Sequence, residues 1–106
     1  MPTTVHTMKW GERPRPGHPD DVRIDRGTRW ENRFVIGWDG DRAEVIRRYE
    51  KALRATMARS PKLKEAVAAL HGKRLFCWCA PLPCHGDVLA KLAAELVAER
   101  TEENPT

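Results

Sequence analysis

Between positions 74 and 92 the chain changes character twice within a few residues, and that change limits what it can fold into. Arg74-Leu75-Phe76-Cys77-Trp78-Cys79 is a short apolar, aromatic run followed by Ala80-Pro81-Leu82-Pro83. It reads as a buried strand that leaves its sheet at Ala80-Pro81. Beyond Cys84 the apolar residues Val88, Leu89, Leu92, Ala93 and Leu96 recur at three- and four-residue steps, the spacing of a helix with one buried stripe. Cys84, His85 and Asp87 therefore fall in the first turn of a helix, just past a strand's carboxyl end. In open α/β sheets that crevice is where ligands bind.

The rest of the chain supplies the partners of this strand and helix. Val22-Arg23-Ile24 alternates apolar and polar side chains and predicts a strand. Phe34-Val35-Ile36 predicts a second short buried strand, and Trp38-Asp39-Gly40-Asp41 a turn in which Asp39 or Asp41 caps the next helix. That helix runs from about Arg42 to Arg59 on a stripe of Val45, Ile46, Tyr49, Leu53 and Met57. Ser60-Pro61 restarts the chain as N-cap and first helical residue, and Gly72 suits the left-handed residue after a second helix. Alternating prolines make residues 1–21 an extended arm, in which Val5 and Met8-Lys9-Trp10 could supply a short docked strand. Residues 22–99 form the single domain and 100–106 a disordered tail. The order of elements predicts a small layered α/β fold, a short and mostly parallel sheet with helices packed on it. So thin a sheet suits a homodimer that extends or covers it.

A chain of 106 residues allows one modest core. It has no apolar run of membrane-spanning length and no signal-peptide core, so a cytoplasmic protein without membrane partners is expected. The three cysteines are an odd number, and Cys77 and Cys79 stand too close for an ordinary disulfide. In a reducing compartment such clustering favours a metal site or a reactive thiol. The net charge of +4 is uneven, with Arg42, Arg47, Arg48, Lys51, Arg54, Arg59, Lys62 and Lys64 all lying between positions 42 and 64. A helix so charged could hold a nucleic-acid backbone. It could equally be a solvated face with Glu44-Arg48 and Glu50-Arg54 pairs one turn apart.

Three readings of the cysteine cluster compete. Cys77, Cys79, Cys84 and His85 could hold zinc, since three thiolates and an imidazole are a common closed set; an iron-sulfur cluster is a further version. Alternatively Cys84 is a nucleophilic or redox thiolate at a helix N-terminus, where free N–H groups and the dipole favour negative charge. His85 would then be the general acid/base, with Asp87 orienting it or capping the helix and Cys79 resolving the oxidised thiol. Under the third reading the cysteines are small buried hydrophobes at a helix start. A second constellation, Arg26, Arg29, Trp30 and Asn32, offers guanidinium donors to phosphate and an indole face to a base; it is equally a loop whose Trp30 packs in the core while its arginines are solvated. If both groups reach one sheet edge, the pocket suits a nucleotide or another phosphorylated ligand.

The pattern Cys77-x-Cys79-x-Pro81-x-x-Cys84-His85-Gly86-Asp87, preceded by Gly72-Lys73-Arg74, resembles a bacterial and phage family, the domain of unknown function numbered 4326. The segment from Arg26 to Gly37 is similar to that family's small-basic-Trp-Gly-Asn-Pro-Phe segment, departing from it at Glu31 and Arg33. The resemblance spans about residues 22 to 97. It implies a small α/β fold and a Cys/His site, and carries no settled activity. The strand-Cys-loop-Cys-His-helix arrangement alone also resembles the uncharacterised family numbered 488. The combined expectation is a small enzyme acting on a nucleotide or nucleic-acid-derived substrate. The alternative is a zinc-stabilised module binding nucleic acid or protein.

Overall fold

The computed structural model describes residues 2–80 and 82–103, with the side chains of 101–103 excepted. Pro81, at which the strand was expected to leave the sheet, lies outside the described residues, as does the end of the tail, 104–106. Three strands and three helices follow one another as β1 (Thr4–Thr7), β2 (Asp21–Arg23), α1 (Arg42–Arg59), α2 (Pro61–Ala68), β3 (Arg74–Cys77) and α3 (His85–Glu103). The sheet is wholly parallel in the order β1-β3-β2. Val5 and Val22 flank Leu75 from either side.

The central strand is also the most apolar one, as a parallel strand covered on both faces requires. Leu75 and Cys77 face the helices, joining Ile24, Val67, Leu89 and Leu92 in one core. Phe76 points to the opposite face, where the His6 ring stacks on it at 5.2 Å and the Arg74 guanidinium lies 5.1 Å from its centroid. Leu75, Leu89, Leu92, Val67 and Ile24 are fully buried, each worth roughly 1.5–3 kcal/mol of burial. No buried side-chain nitrogen or oxygen among the described residues lacks a partner.

Helix boundaries follow local chemistry. The Asp41 carboxylate accepts from the Glu44 N–H at 2.9 Å to cap α1, and the Ser60 hydroxyl accepts from the Leu63 N–H at 3.2 Å to cap α2. Gly72, at φ +79°, turns the chain after α2 towards β3, a conformation that side chains with a Cβ disfavour.

Four expectations are corrected. Phe34-Val35-Ile36 forms no strand; it runs as irregular chain with Ile36 half exposed, because its apolar side chains line a cleft instead of entering the sheet. The docked strand suggested within the arm forms around Val5 and not at Met8-Lys9-Trp10: β1 pairs with β3 along its full length. Trp10, which a docked strand would have covered, is 76% exposed, while Met8 is buried. Residues 100–103, read as disordered, continue α3. Among the described residues no helix is long and apolar enough to cross a membrane.

Candidate functional site

All three strands run parallel, so their carboxyl ends meet at one edge, and a cleft of about 390 Å³ opens there. Asp25 and Arg26 reach it from the end of β2, and Cys77, Trp78 and Cys79 from the end of β3. Asn32, Phe34, Val35 and Ile36 form one wall, Arg42, Val45 and Ile46 of α1 another, and Cys84 and His85 the start of α3. The cysteine cluster and part of the basic loop therefore share a single cleft.

At its floor the Cys77 and Cys84 sulfurs lie 3.5 Å apart. Their hydrogen bonds run in one direction when both thiols are protonated. The Gly86 N–H donates to Cys84 Sγ at 3.3 Å, the Cys84 thiol donates to Cys77 Sγ, and the Cys77 thiol donates to the His6 carbonyl at 3.6 Å. The start of α3 is capped from both sides: the Asp87 carboxylate accepts from the Cys84 N–H at 3.0 Å, and the Cys84 sulfur accepts from the Gly86 N–H. The Asp87 N–H donates to the Cys84 carbonyl at 3.0 Å.

Two thiols so close cannot both ionise readily. Cys77 is lowered to about 6, first because the Cys84 thiol donates to it, with the backbone N–H groups of Ala80 and Cys79 adding to the effect against its burial. Cys84 is raised, first by its hydrogen bond to Cys77, then by burial and the charge of its partner. The sequence pointed to Cys84 as the thiolate. The helix N–H it would use is present, but the negative charge falls on its neighbour.

His85 is buried, and its Nε2 lies 2.6 Å from the Ile24 carbonyl. A carbonyl only accepts, so Nε2 carries the proton and donates. The Tyr49 ring meets the imidazole edge-on at 5.2 Å, and the Tyr49 hydroxyl donates to the Trp30 carbonyl at 2.9 Å. Of the two roles read for Asp87, orienting His85 or capping the helix, the hydrogen bond from the Cys84 N–H is that of the cap.

Of the expected ligand-binding residues, Arg26 and Asn32 line the cleft. Asn32 also fixes the wall to α1, its Nδ2 donating to the Val45 carbonyl at 3.1 Å and its Oδ1 accepting from the Phe34 N–H at 2.9 Å. Trp30 is buried in the core, and the Arg29 guanidinium lies 5.0 Å from its ring centroid. Neither Trp30 nor Arg29 lines the cleft. Among the described residues no three His, Cys, Asp or Glu side chains gather as a metal-binding group. The expected zinc set is therefore not assembled: β3 ends at Cys77, so Cys79 sits on the following bend rather than beside it on the strand.

Sequence reasoning passed over two residues. Asp25 is buried, paired with Arg23 at 2.6 Å and accepting from the Trp78 Nε1–H at 2.9 Å. Its position one residue beyond an alternating strand was the available signal. Arg42 was read as part of a charged helix, yet it lines the cleft and donates to the Pro83 carbonyl at 3.1 Å.

The model of a family described as a domain of unknown function, DUF4326, matches residues 5–95. The chain belongs to DUF4326. The matched span takes in most of β1, all of β2 and β3, the cleft wall and the Cys/His segment. The chain is also similar to an uncharacterized 12.4 kDa protein in the nrdA-td intergenic region of Enterobacteria phage T4. The two are 38% identical over 77 residues, covering 72% of this chain and 69% of the phage protein. No solved structure matches the chain.

Proposed function

We propose that this DUF4326 protein is a small enzyme whose cleft takes a nucleotide or another phosphorylated substrate against the Cys77–Cys84 thiol pair. One observation carries the reading: Arg26 and Arg42 both line the cleft, and neither has a carboxylate partner among the described residues. Most arginines of this chain do, including Arg15, Arg23, Arg47, Arg48, Arg54 and Arg74. An unneutralised guanidinium at a concave site favours an anion, and two favour a phosphoryl group over a lone carboxylate. Phe34, Ile36 and the half-exposed Trp78 supply apolar surface for the rest of such a ligand. The low-lying Cys77 thiol is the nucleophile of this reading, and His85 is its neighbouring acid/base group.

Calorimetric titration with inorganic phosphate and the common nucleoside monophosphates tests it. Binding should weaken by roughly 10-fold or more in Arg26→Ala and in Arg42→Ala, since a charged hydrogen bond is worth about 1.5–3 kcal/mol. Binding that ignores both substitutions, or no binding by any of these ligands, removes the reading. A zinc-stabilised module is the second reading, favoured by the same sulfur pair. It requires Cys79 to turn inwards, and it predicts stoichiometric zinc in the purified protein with a melting temperature that falls on chelation.

A further inference from the structure

The sulfur pair supports a second inference that does not depend on which ligand the cleft accepts. Cys77 ends the central strand and Cys84 caps α3, so two firmly packed elements hold the sulfurs at 3.5 Å. Both side chains are buried, yet both line the cleft. At 1% and 3% exposure Cys77 and Cys84 open only towards the cleft, so an oxidant that meets them must be small, and a bulky disulfide is hindered. Cys79, partly exposed on the bend beyond β3, has no thiol partner among the described residues.

We propose that Cys77 and Cys84 are an oxidisable dithiol, which a small hydroperoxide converts into an intramolecular disulfide on the floor of the cleft. The Cys77 thiolate attacks one peroxide oxygen, the O–O bond breaks, and the second oxygen leaves and takes up a proton as water or an alcohol. Cys77 is then a sulfenic acid. The Cys84 thiol attacks that sulfur, the S–S bond forms, and the S–O bond breaks. The departing hydroxide combines with the Cys84 proton as water. The peroxide gains two electrons and the dithiol loses two. A soluble dithiol reverses the change by thiol–disulfide exchange. Because the partner sulfur is already in contact, disulfide formation outruns further oxidation of the sulfenic acid. The oxidised protein has no free thiol at the cleft floor, so any chemistry that uses one stops until the disulfide is reduced.

The test uses the full chain carrying Cys79→Ser, reduced, freed of metal by a chelator and then titrated with hydrogen peroxide. Intact mass should fall by about 2 Da, the loss of two hydrogens, while both alkylatable thiols disappear together and return with dithiothreitol. In the wild type, fragmentation should assign the same Cys77–Cys84 link. Adding Cys84→Ser should abolish the mass loss and leave on Cys77 a sulfenic acid that a cyclic dione traps, whereas adding Cys77→Ser should abolish both the mass loss and the trapped sulfenic acid. A wild-type disulfide that includes Cys79 would overturn the proposal. So would conversion of the Cys79→Ser protein to species with two added oxygens without a disulfide intermediate. Phosphate and nucleotide titration of the reduced protein reads the earlier proposal separately, so either can fail alone.

Discussion

The indole Nε1–H of Trp78 donates to the Asp25 carboxylate at 2.9 Å, tying the exit of β3 to the exit of β2 across the mouth of the cleft. Arg23 grips the same carboxylate through two further hydrogen bonds, at 3.1 and 2.6 Å. The Arg23 guanidinium first, and Trp78 after it, hold Asp25 below the ordinary carboxyl range despite its burial. A carboxyl lowered by folding stabilises the protein above its unfolded value, near pH 4. That contribution is lost as pH falls through the folded value. Trp78→Phe should therefore cost about 1 kcal/mol at pH 7 and flatten the loss of stability on acidification. Urea denaturation of both proteins at neutral pH and near pH 3 measures both effects.

Gly86 yields a prediction opposite to the usual helix rule. An alanine in a helix generally gains about 1 kcal/mol over glycine. Here a Cβ would stand 2.9 Å from both Ile24 Cδ1 and Val5 Cγ1, and 3.3 Å from the Cys84 sulfur. Overpacking of that kind costs roughly 1–3 kcal/mol. Gly86→Ala should lower the midpoint of chemical denaturation and alter the reactivity of Cys84. A more stable variant would show that α3 can withdraw from the sheet without penalty.

Helices were legible from sequence because each carried its own start and stop. Asp41, Ser60-Pro61 and Gly72 act within a few residues of themselves, and the stripe of α1 is a purely local period. Strands were legible only in part: β2 and β3 lie where Val22-Arg23-Ile24 and the apolar run from Arg74 predicted them, but a strand of three or four residues is defined by its neighbour. Thr4–Thr7 has little apolar character and becomes β1 only by lying beside Leu75 and Phe76, whereas Phe34-Val35-Ile36 has the composition of a strand and no partner. The candidate site divides in the same way. The grouping of Cys77, Cys84 and His85 followed from the strand-turn-helix pattern, but the pairing of Cys77 with Cys84 needed the three-dimensional turn between them. The choice between alternatives that the sequence left open, Asp87 as cap or orienting group and Trp30 in the core or facing a ligand, needed it too.

The basic face of α1 carries the Glu44-Arg48 and Glu50-Arg54 pairs of its solvated-face reading. Arg47 and Arg48 both bond Glu44, and Arg54 bonds Glu50 and Glu95, which also brings α3 against α1. Such pairs spend much of the positive field that phosphates would meet. A triple Arg47→Glu, Lys51→Glu, Arg54→Glu variant should change oligonucleotide affinity at low salt by less than Arg26→Ala does. The measurement is fluorescence anisotropy across a salt series. A steep salt slope lost in the triple variant and kept in Arg26→Ala would restore α1 as a nucleic-acid surface.

The thiol pair gives the last prediction, because its two members depend on one another. The hydrogen bond from the Cys84 thiol is the first cause of the lowered Cys77 value of about 6, so the reactivity of Cys77 belongs to the pair. In a Cys79→Ser background, freed of metal, iodoacetamide should modify Cys77 first and continue to do so down to about that pH. Cys84, which keeps its proton for as long as Cys77 is charged, should label slowly even under alkaline conditions. Cys84→Ala removes the donor and should return Cys77 towards the ordinary thiol value near 8.5, slowing its labelling at pH 7 by about 10-fold or more. Cys84→Ser keeps a donating hydroxyl and should preserve most of the effect. Peptide-resolved labelling against pH in these three proteins separates the alternatives. If Cys77 labels equally fast with alanine or cysteine at position 84, its acidity comes from the Ala80 and Cys79 N–H groups alone, and the pair is not a chemical unit.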